Sequence, residues 1–424
     1  MSPPLSGKAR VIALAAVGAS TVVEWYDFTL CLYFAPTLSR VFFGDNAQAL
    51  GSTLAGFAIA YLMRPLGAIL FGLFGDRHGR KPTLLLSMAA MTFAMAVMAA
   101  LPSYQQIGAF AGWAFILLRC LMGFSVGGEY TAVVAYLYES APPHRRGLVT
   151  SLAAAASEIG GLLAVGLCAL LTRNLDAASL DGWGWRLPFV FGAALAGTIW
   201  LARRLVPETP AFHLPSPSQS GSPLGYALRH ERKGIAIGFA ISALGSISYY
   251  VGITYVPSYM ASTGWHDQAL ALELSTMAAL VVITITPAVG LLSDVIGRKS
   301  VLLTLCVACS FLPIAMFNLI AGGATGPALA AIAMLAALAG GVSAVGAIAT
   351  AEQFSTLSRL SGLALGATTA TAVFGGATPY LAHALQQSTG LAEIPGLMIA
   401  GVAIAVGLFL SLAMPSRRVL RQAQ

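Results

Sequence analysis

Six ionisable residues lie deep inside apolar runs of this chain: Glu24, Asp27, Arg64, Arg119, Glu129 and Glu158. Their types suit the handling of protons and carboxylates. An ionisable side chain in a hydrocarbon core is costly, so each must face a partner or a polar cavity. Glu24 and Asp27 are spaced i, i+3 and share one face of a helix. Asp27 is placed to meet Arg119 from another run. A carboxylate beside an arginine holds its charge, and the same carboxylate left alone in apolar surroundings takes up a proton. A substrate that engages the arginine therefore alters the proton affinity of the acid, which is a means of proton coupling. The competing reading of the pair is a permanent structural ion pair.

Arg119 offers five donors in a planar fork that fits a carboxylate. It opens the series Arg119-x3-Gly123-x3-Gly127-Gly128, whose glycines allow close helix approach. Arg64, in Met63-Arg64-Pro65-Leu66-Gly67, is either a second anion contact or a brace at the proline. Glu158 can relay a proton, pair with Arg64 or bind a cationic part of a substrate, and Glu129 is a further candidate acid. Later in the chain, Tyr249, Tyr250 and Tyr255 form an aromatic cluster able to hydrogen-bond a ligand and exclude water, or simply to pack. Asn318 and His383 are lone polar residues within runs, and His383, near the outer end of its run, reads as a satisfied interfacial histidine rather than a proton site.

The elements that position these residues are membrane spans. Of 424 residues, 57% are hydrophobic and 9% charged, and the mean hydropathy is +0.80. A soluble domain carries about 25% charged residues. A spanning helix needs about 20 apolar residues. Twelve runs qualify: 11–38, 51–75, 83–101, 107–139, 147–172, 186–205, 234–261, 269–293, 300–321, 326–352, 360–386 and 394–414. At about 1.5 Å rise per residue, Glu24, Asp27, Arg64, Arg119 and Glu158 all fall near mid-membrane. The segment 207–233, rich in Pro, Ser, Gly and charge, reads as a linker between an N-terminal half, 1–206, and a C-terminal half, 234–424. The third run of each group of three lacks interior charge and is expected to face lipid.

Lys and Arg crowd one side of these runs, among them Lys8, Arg10, Arg145, Arg146, Arg203, Arg204, Arg229, Arg232, Lys233, Arg417, Arg418 and Arg421. The other side has Arg40, Arg173 and Arg186. By the positive-inside rule both termini and the linker are cytoplasmic. The net charge of +7 is thus a matter of topology rather than of nucleic-acid binding. The first run continues into a span with no small-residue cleavage site, so no cleaved signal is expected. The five cysteines lie in apolar runs without metal spacing, and no metal or cofactor is expected. No phosphate-binding loop of the Walker type occurs, which argues against ATP-driven transport.

The stretch Gly72 to Lys81 recurs as Gly290 to Lys299, with Gly, Asp, Gly, Arg and Lys at one offset of about 218 residues. Two copies of one membrane unit are the repeat plan of many transporters. Gly72, Asp76, Arg80, Gly290, Asp294 and Arg298 read as loop hardware of a conformational gate.

These stretches resemble the hallmark loops of the major facilitator superfamily, and the Arg119 series its helix-4 motif. Within it the chain is similar to the metabolite:proton symporters, which include citrate, α-ketoglutarate, shikimate and proline/betaine carriers. The resemblance rests on Glu24-Trp25-Tyr26-Asp27-Phe28, Arg64-Pro65-Leu66-Gly67, Gly123 to Tyr130, Trp183 to Phe189, Glu208-Thr209-Pro210-Ala211-Phe212 and Phe374 to Pro379. It implies an all-α membrane protein of twelve transmembrane helices in two six-helix halves. It also implies inward symport driven by the proton gradient across a bacterial inner membrane, by a monomer that is no enzyme, with Asp76 and Arg80 working against helix 11 near Arg359 and Gly362. The run Tyr249 to Tyr259 looks most similar to the citrate branch, from which Glu158 departs: an extra acid is unfavourable for a trianion. A small organic acid is the expected substrate, and a zwitterion such as an amino acid or betaine the alternative. A proton-antiport exporter is disfavoured by Gly160-Gly161 without proline in the fifth run, and a non-transporting sensor by the mid-membrane charges.

Overall fold

The computed structural model describes residues 7–44, 49–209, 222–263 and 268–414. Residues Pro210–Phe212 of the Glu208 motif, positions 210–221 of the expected linker, and Arg417, Arg418 and Arg421 lie outside the described residues, as do the side chains of Lys8 and Arg10. No strand occurs among the described residues. The helices that carry the spans are α1 (Ser20–Tyr33), α2 (Ala49–His78), α3 (Arg80–Ala100), α4 (Phe110–Ser140), α5 (Arg146–Asn174) and α6 (Arg186–Arg204). They continue with α7 (Arg232–Tyr249), α8 (Gln268–Ile296), α9 (Arg298–Ala321), α10 (Thr325–Ala351), α11 (Thr378–Thr389) and α12 (Ile394–Ala413).

Among the described residues, eleven helical stretches are long and apolar enough to cross a membrane. The run 11–38 supplies the twelfth span in three pieces, Gly7–Gly18, α1 and Ala35–Phe43. Its breaks have local causes. Pro36 lacks the N–H that would continue the ladder from α1. At the other end the Ser20 and Thr21 hydroxyls donate to Val17 O (2.7 Å) and Gly18 O (2.8 Å), loosening the turn between the first two pieces. The seventh and eleventh runs are also interrupted, by wide turns at Tyr250–Thr254 and Ala364–Thr368. Turns of this kind concentrate at functional places in helices.

The chain divides into two compact units. One is Met1–Ser140 with Ala156–Ser220, the other Ala141–Ala155 with Gly221–Gln424. In the first, α2 packs on α4 and α3 on α6; in the second, α8 packs on α10 and α9 on α12. The same pairs recur six helices later, as two copies of one unit require. Each unit has its own apolar core, around Tyr26, Met91 and Trp185 in the first and Leu244, Cys309 and Phe317 in the second.

Glycine sets the approach of α2 to α4. A Cβ on Gly67 would lie 1.9 Å from Phe124 O, one on Gly123 2.0 Å from Ala60 O, and one on Gly127 2.0 Å from Arg64 O. Backbone carbonyls cannot step aside, so even a methyl forces the helices apart. Gly123→Ala is expected to lower stability by about 1–3 kcal/mol or more, the usual cost of overpacking. Thermal unfolding in detergent checks this; an unchanged midpoint would contradict such close packing.

The repeated stretches are less of a loop than their composition implies. Gly72–His78 is the last part of α2, and α3 begins at Arg80, so Gly79 alone makes the turn, at φ 108°. Gly297 does the same between α8 and α9, at φ 99°. Only glycine adopts such a backbone freely, and a one-residue turn lets both helices extend to the charged residues.

Candidate functional site

Asp27 on α1 and Arg119 on α4 meet. Arg119 Nη1 lies 2.8 Å from both Asp27 Oδ1 and Oδ2, and Arg119 also reaches Met122 Sδ at 3.5 Å. Both residues are buried, at 2% and 4% exposure. One turn earlier on α1, Glu24 faces Arg64 of α2, with Glu24 Oε1 3.5 Å from Arg64 Nη1. The Arg64 guanidinium also lies 5.3 Å from the centre of the Phe28 ring and 4.7 Å from that of Tyr61, a cation–π arrangement. Arg64 thus has Glu24, and not Glu158, as its ion-pair partner.

A narrow cleft of about 10 Å³, room for little more than one water, opens on this group, lined by Asp27, Phe28, Ala60, Tyr61, Arg64, Arg119, Gly123 and Val126. All of it belongs to the first unit. The glycine-mediated contact of α2 with α4 sets Arg64 and Arg119 on facing helices, and Pro65 follows Arg64 within α2. The cavity holds two guanidinium groups and one carboxylate, with aromatic faces beside them. Its two guanidinium groups give it the chemistry to attract an anion.

The other candidate acids lie elsewhere. Glu129 is fully buried behind the site. Its Oε1 accepts from Arg203 Nη2 at 2.6 Å, and its Oε2 accepts from the Ser87 hydroxyl. Arg203 in turn donates to Leu84 O (2.9 Å), Val17 O (3.2 Å) and the Ser20 hydroxyl. This network joins α1, α3, α4 and α6. Its place in the sequence puts Arg203 among the cytoplasmic basic residues and leaves the sixth run free of interior charge. Arg203, in the last turn of α6, is nonetheless 1% exposed and serves as an internal ion-pair partner, because a buried Glu129 needs a cation. Glu158 is buried on α5, outside the cavity lining. Near it Gly160 lets α5 approach α1, where a Cβ would lie 2.1 Å from Val22 O.

In the second unit, the Tyr255 hydroxyl donates to Gln386 Oε1 at 2.8 Å and lies 3.4 Å from His383 Nδ1, so it ties the seventh span to α11. Tyr249 and Tyr250 stack edge to face, 5.7 Å between ring centres. The single Tyr259 hydroxyl proton has Phe317 O (3.0 Å) and Ala392 O (2.8 Å) within reach, a packing role. Asn318 donates to Ile314 O one turn back, at 3.2 Å.

The residues of the two repeated stretches form matching networks. Arg80, fully buried, donates to Gly75 O (2.9 Å), Asp76 Oδ1 (3.2 Å) and both oxygens of Glu139 at the end of α4 (3.0 and 3.2 Å). Arg298 donates to Ser293 Oγ (2.7 Å), Asp294 Oδ1 (2.7 Å) and Glu352 Oε1, just past α10 (3.3 Å). Burial pushes the Glu352 carboxyl up, against the pull of Arg298. Asp294 accepts from the Gly147 and Leu148 N–H groups at 2.9 and 3.0 Å, near the positive end of α5. Gly290 is needed there, since its Cβ would lie 2.3 Å from Ser151 Oγ. The repeated lysines bind the last carbonyls of the sixth helix of each half. Lys81 Nζ reaches Arg204 O at 2.9 Å, and Lys299 Nζ reaches Ser411 O and Met414 O at 2.8 and 2.6 Å. Glu208 accepts from the N–H groups of Arg80 and Lys81, both at 3.0 Å, and caps α3. Sequence reasoning missed Glu139 and Glu352. The available signal was an acid closing the fourth and tenth runs, 59 and 54 residues beyond the repeated arginine.

A family model described as "Sugar (and other) transporter" matches residues 11–222. The chain is 32% identical to the alpha-ketoglutarate permease of Escherichia coli (strain K12), over 89% of this chain and 88% of that one. It is 32% identical to the ectoine/proline transporter ProP of Corynebacterium glutamicum, over 92% of this chain and 82% of that one. It is 28% identical to the citrate-proton symporter of Klebsiella pneumoniae, over 94% and 90% respectively. Among solved structures, the proton:xylose symporter XylE matches with a TM-score of 0.79 at 19% identity, over 97% of each chain, a likeness of fold.

Proposed function

The chain belongs to the sugar (and other) transporter family of the major facilitator superfamily, among its metabolite:proton symporters, and from that premise we propose that it imports a small organic acid together with protons. The observation that carries this reading is the cavity lined by Arg64, Arg119 and Asp27, in which two arginines outnumber the single acid. Arg119 and Arg64 hold the substrate carboxylate. Asp27, released from Arg119, takes the proton that travels with it. The two halves, 1–206 and 234–424, move about the linker 207–233, with Asp76, Arg80, Asp294 and Arg298 in the gate networks and Tyr249, Tyr250 and Tyr255 on the wall of the second half. The protein works as a monomer in a bacterial inner membrane, with both termini cytoplasmic. It carries solutes rather than converting them and uses no cofactor.

The second reading is a zwitterion carrier. The named proline and ectoine relatives favour it, and so does the buried Glu158. Against it, Arg64 already covers the Phe28 and Tyr61 faces that a substrate ammonium would use. Uptake into liposomes under an acid-outside pH gradient separates the two. Accumulation of α-ketoglutarate or citrate, and not of proline or glycine betaine, is the expected result. The reverse pattern supports the zwitterion reading, and no uptake of any of the four sinks both. Thermal unfolding gives an independent check, since a ligand at a hundred times its Kd adds about 2.7 kcal/mol.

A further inference from the structure

Resting on that carboxylate reading, we propose that Glu24 and Arg64 form a second exchangeable pair, so that the site takes a dicarboxylate, one carboxylate on each arginine. When the substrate draws Arg64 away, Glu24 takes up a proton in its place, supplied by water from the acidic side. No covalent bond other than the new O–H changes.

The two ion pairs of the cavity are not equivalent. Asp27 engages Arg119 through both oxygens at 2.8 Å. Glu24 approaches Arg64 only to 3.5 Å, and its Oε2 is buried without a hydrogen-bond partner among the described residues. A carboxylate with an orphaned oxygen at 3% exposure is poorly satisfied where it stands. Arg64, by contrast, lines the cavity, and Glu24 does not. The arginine is therefore reachable by a ligand while its acid is behind it. Phe28 and Tyr61 hold the guanidinium from the side, so it can exchange one carboxylate for another with little motion.

The charges around Glu24 decide its protonation. Asp27 faces it from its own helix, Arg64 from α2, and Glu129 and Tyr130 from α4. Arg203 of α6 is committed to Glu129, which Ser87 of α3 also holds. Arg64 is the one cation in that set. With Arg64 turned to a substrate, Glu24 faces two other acids in a dry setting, and protonation is the way to relieve the charge. The pairs then act alike: each arginine trades its acid for a substrate carboxylate, and each acid carries a proton.

The test uses the purified full chain with α-ketoglutarate as probe. If Glu24 competes for Arg64 and is protonated on binding, affinity falls by up to about tenfold per pH unit on its account as pH rises. In Glu24→Gln that part of the slope is lost. At alkaline pH the variant binds the probe more tightly than the unsubstituted chain, because the competing carboxylate is gone. Mere structural damage would not tighten binding. An unchanged slope, or weaker binding at every pH in a variant with unaltered thermal stability, overturns the proposal. Should the variant not fold, proton uptake on binding, counted by calorimetry in buffers of different ionisation enthalpy, replaces it. Uptake of about one proton that survives in Asp27→Asn supports Glu24, and uptake that Asp27→Asn abolishes overturns it. Failure of the unsubstituted chain to bind any acid overturns the carboxylate reading together with this one, whereas binding with an unaltered Glu24→Gln slope leaves that reading standing.

Discussion

Asp27→Asn is expected to remove gradient-driven accumulation of substrate through this acid while leaving exchange of labelled for unlabelled substrate in place. The reasoning begins with the pair itself. Arg119 holds both carboxylate oxygens of Asp27 within the cavity wall. An asparagine keeps the shape and an acceptor for Arg119 but can carry no proton. Binding and the conformational cycle are retained, and the link to the pH gradient through Asp27 is lost. Each proton carried converts one pH unit into about 1.4 kcal/mol, or tenfold in accumulation. The variant should therefore accumulate about tenfold less per unit of imposed gradient. Liposomes with matched internal substrate measure exchange, and empty ones measure accumulation. Full accumulation by Asp27→Asn would show that the pair is a permanent structural bridge.

Arg203→Ala should have the largest effect on stability. It strips the cation from Glu129, which is fully buried, and it also removes donors from Leu84 O, Val17 O and Ser20. Removing one member of a buried pair costs about 3–5 kcal/mol, because the survivor is left uncompensated. The expected outcome is a large fall in the unfolding midpoint, partly restored by adding Glu129→Gln to the same chain. Glu129→Gln alone tests whether Glu129 carries a proton, as its position mid-run suggests. Its amide can still meet Ser87 and Arg203. Loss of pH-driven uptake at unchanged stability would assign Glu129 to proton movement, and retained uptake would leave it a structural anchor.

Much of the site is legible in the residue order. Asp27 and Arg119 are charges placed mid-run, and a charge at that depth has few partners to choose from. The glycines at 67, 123 and 127 sit where the fourth run must approach the second. Other partners are hidden. Arg203 lies at the end of its run, where a basic residue is ordinary, and only the packing of α6 on α3, which itself packs on α4, draws it inward onto Glu129. Glu139 and Glu352 look like solvated helix ends, yet each closes on a repeated arginine. The pairing of Arg64 with Glu24 rather than Glu158 depends on the rotation of three helices, which periodicity in a uniformly apolar run does not report.

Residue order alone dictates the membrane environment, the number of apolar runs, the repeat and the chemical character of the site. Those properties follow from composition, run length and the cost of placing charge in hydrocarbon, which act along the chain. Which acid meets which arginine, how tightly, and what lines the cavity belong to the tertiary structure. Ion pairs at this depth form between residues 40 to 92 positions apart, and their geometry is set by how closely neighbouring helices pack and how each is turned about its axis.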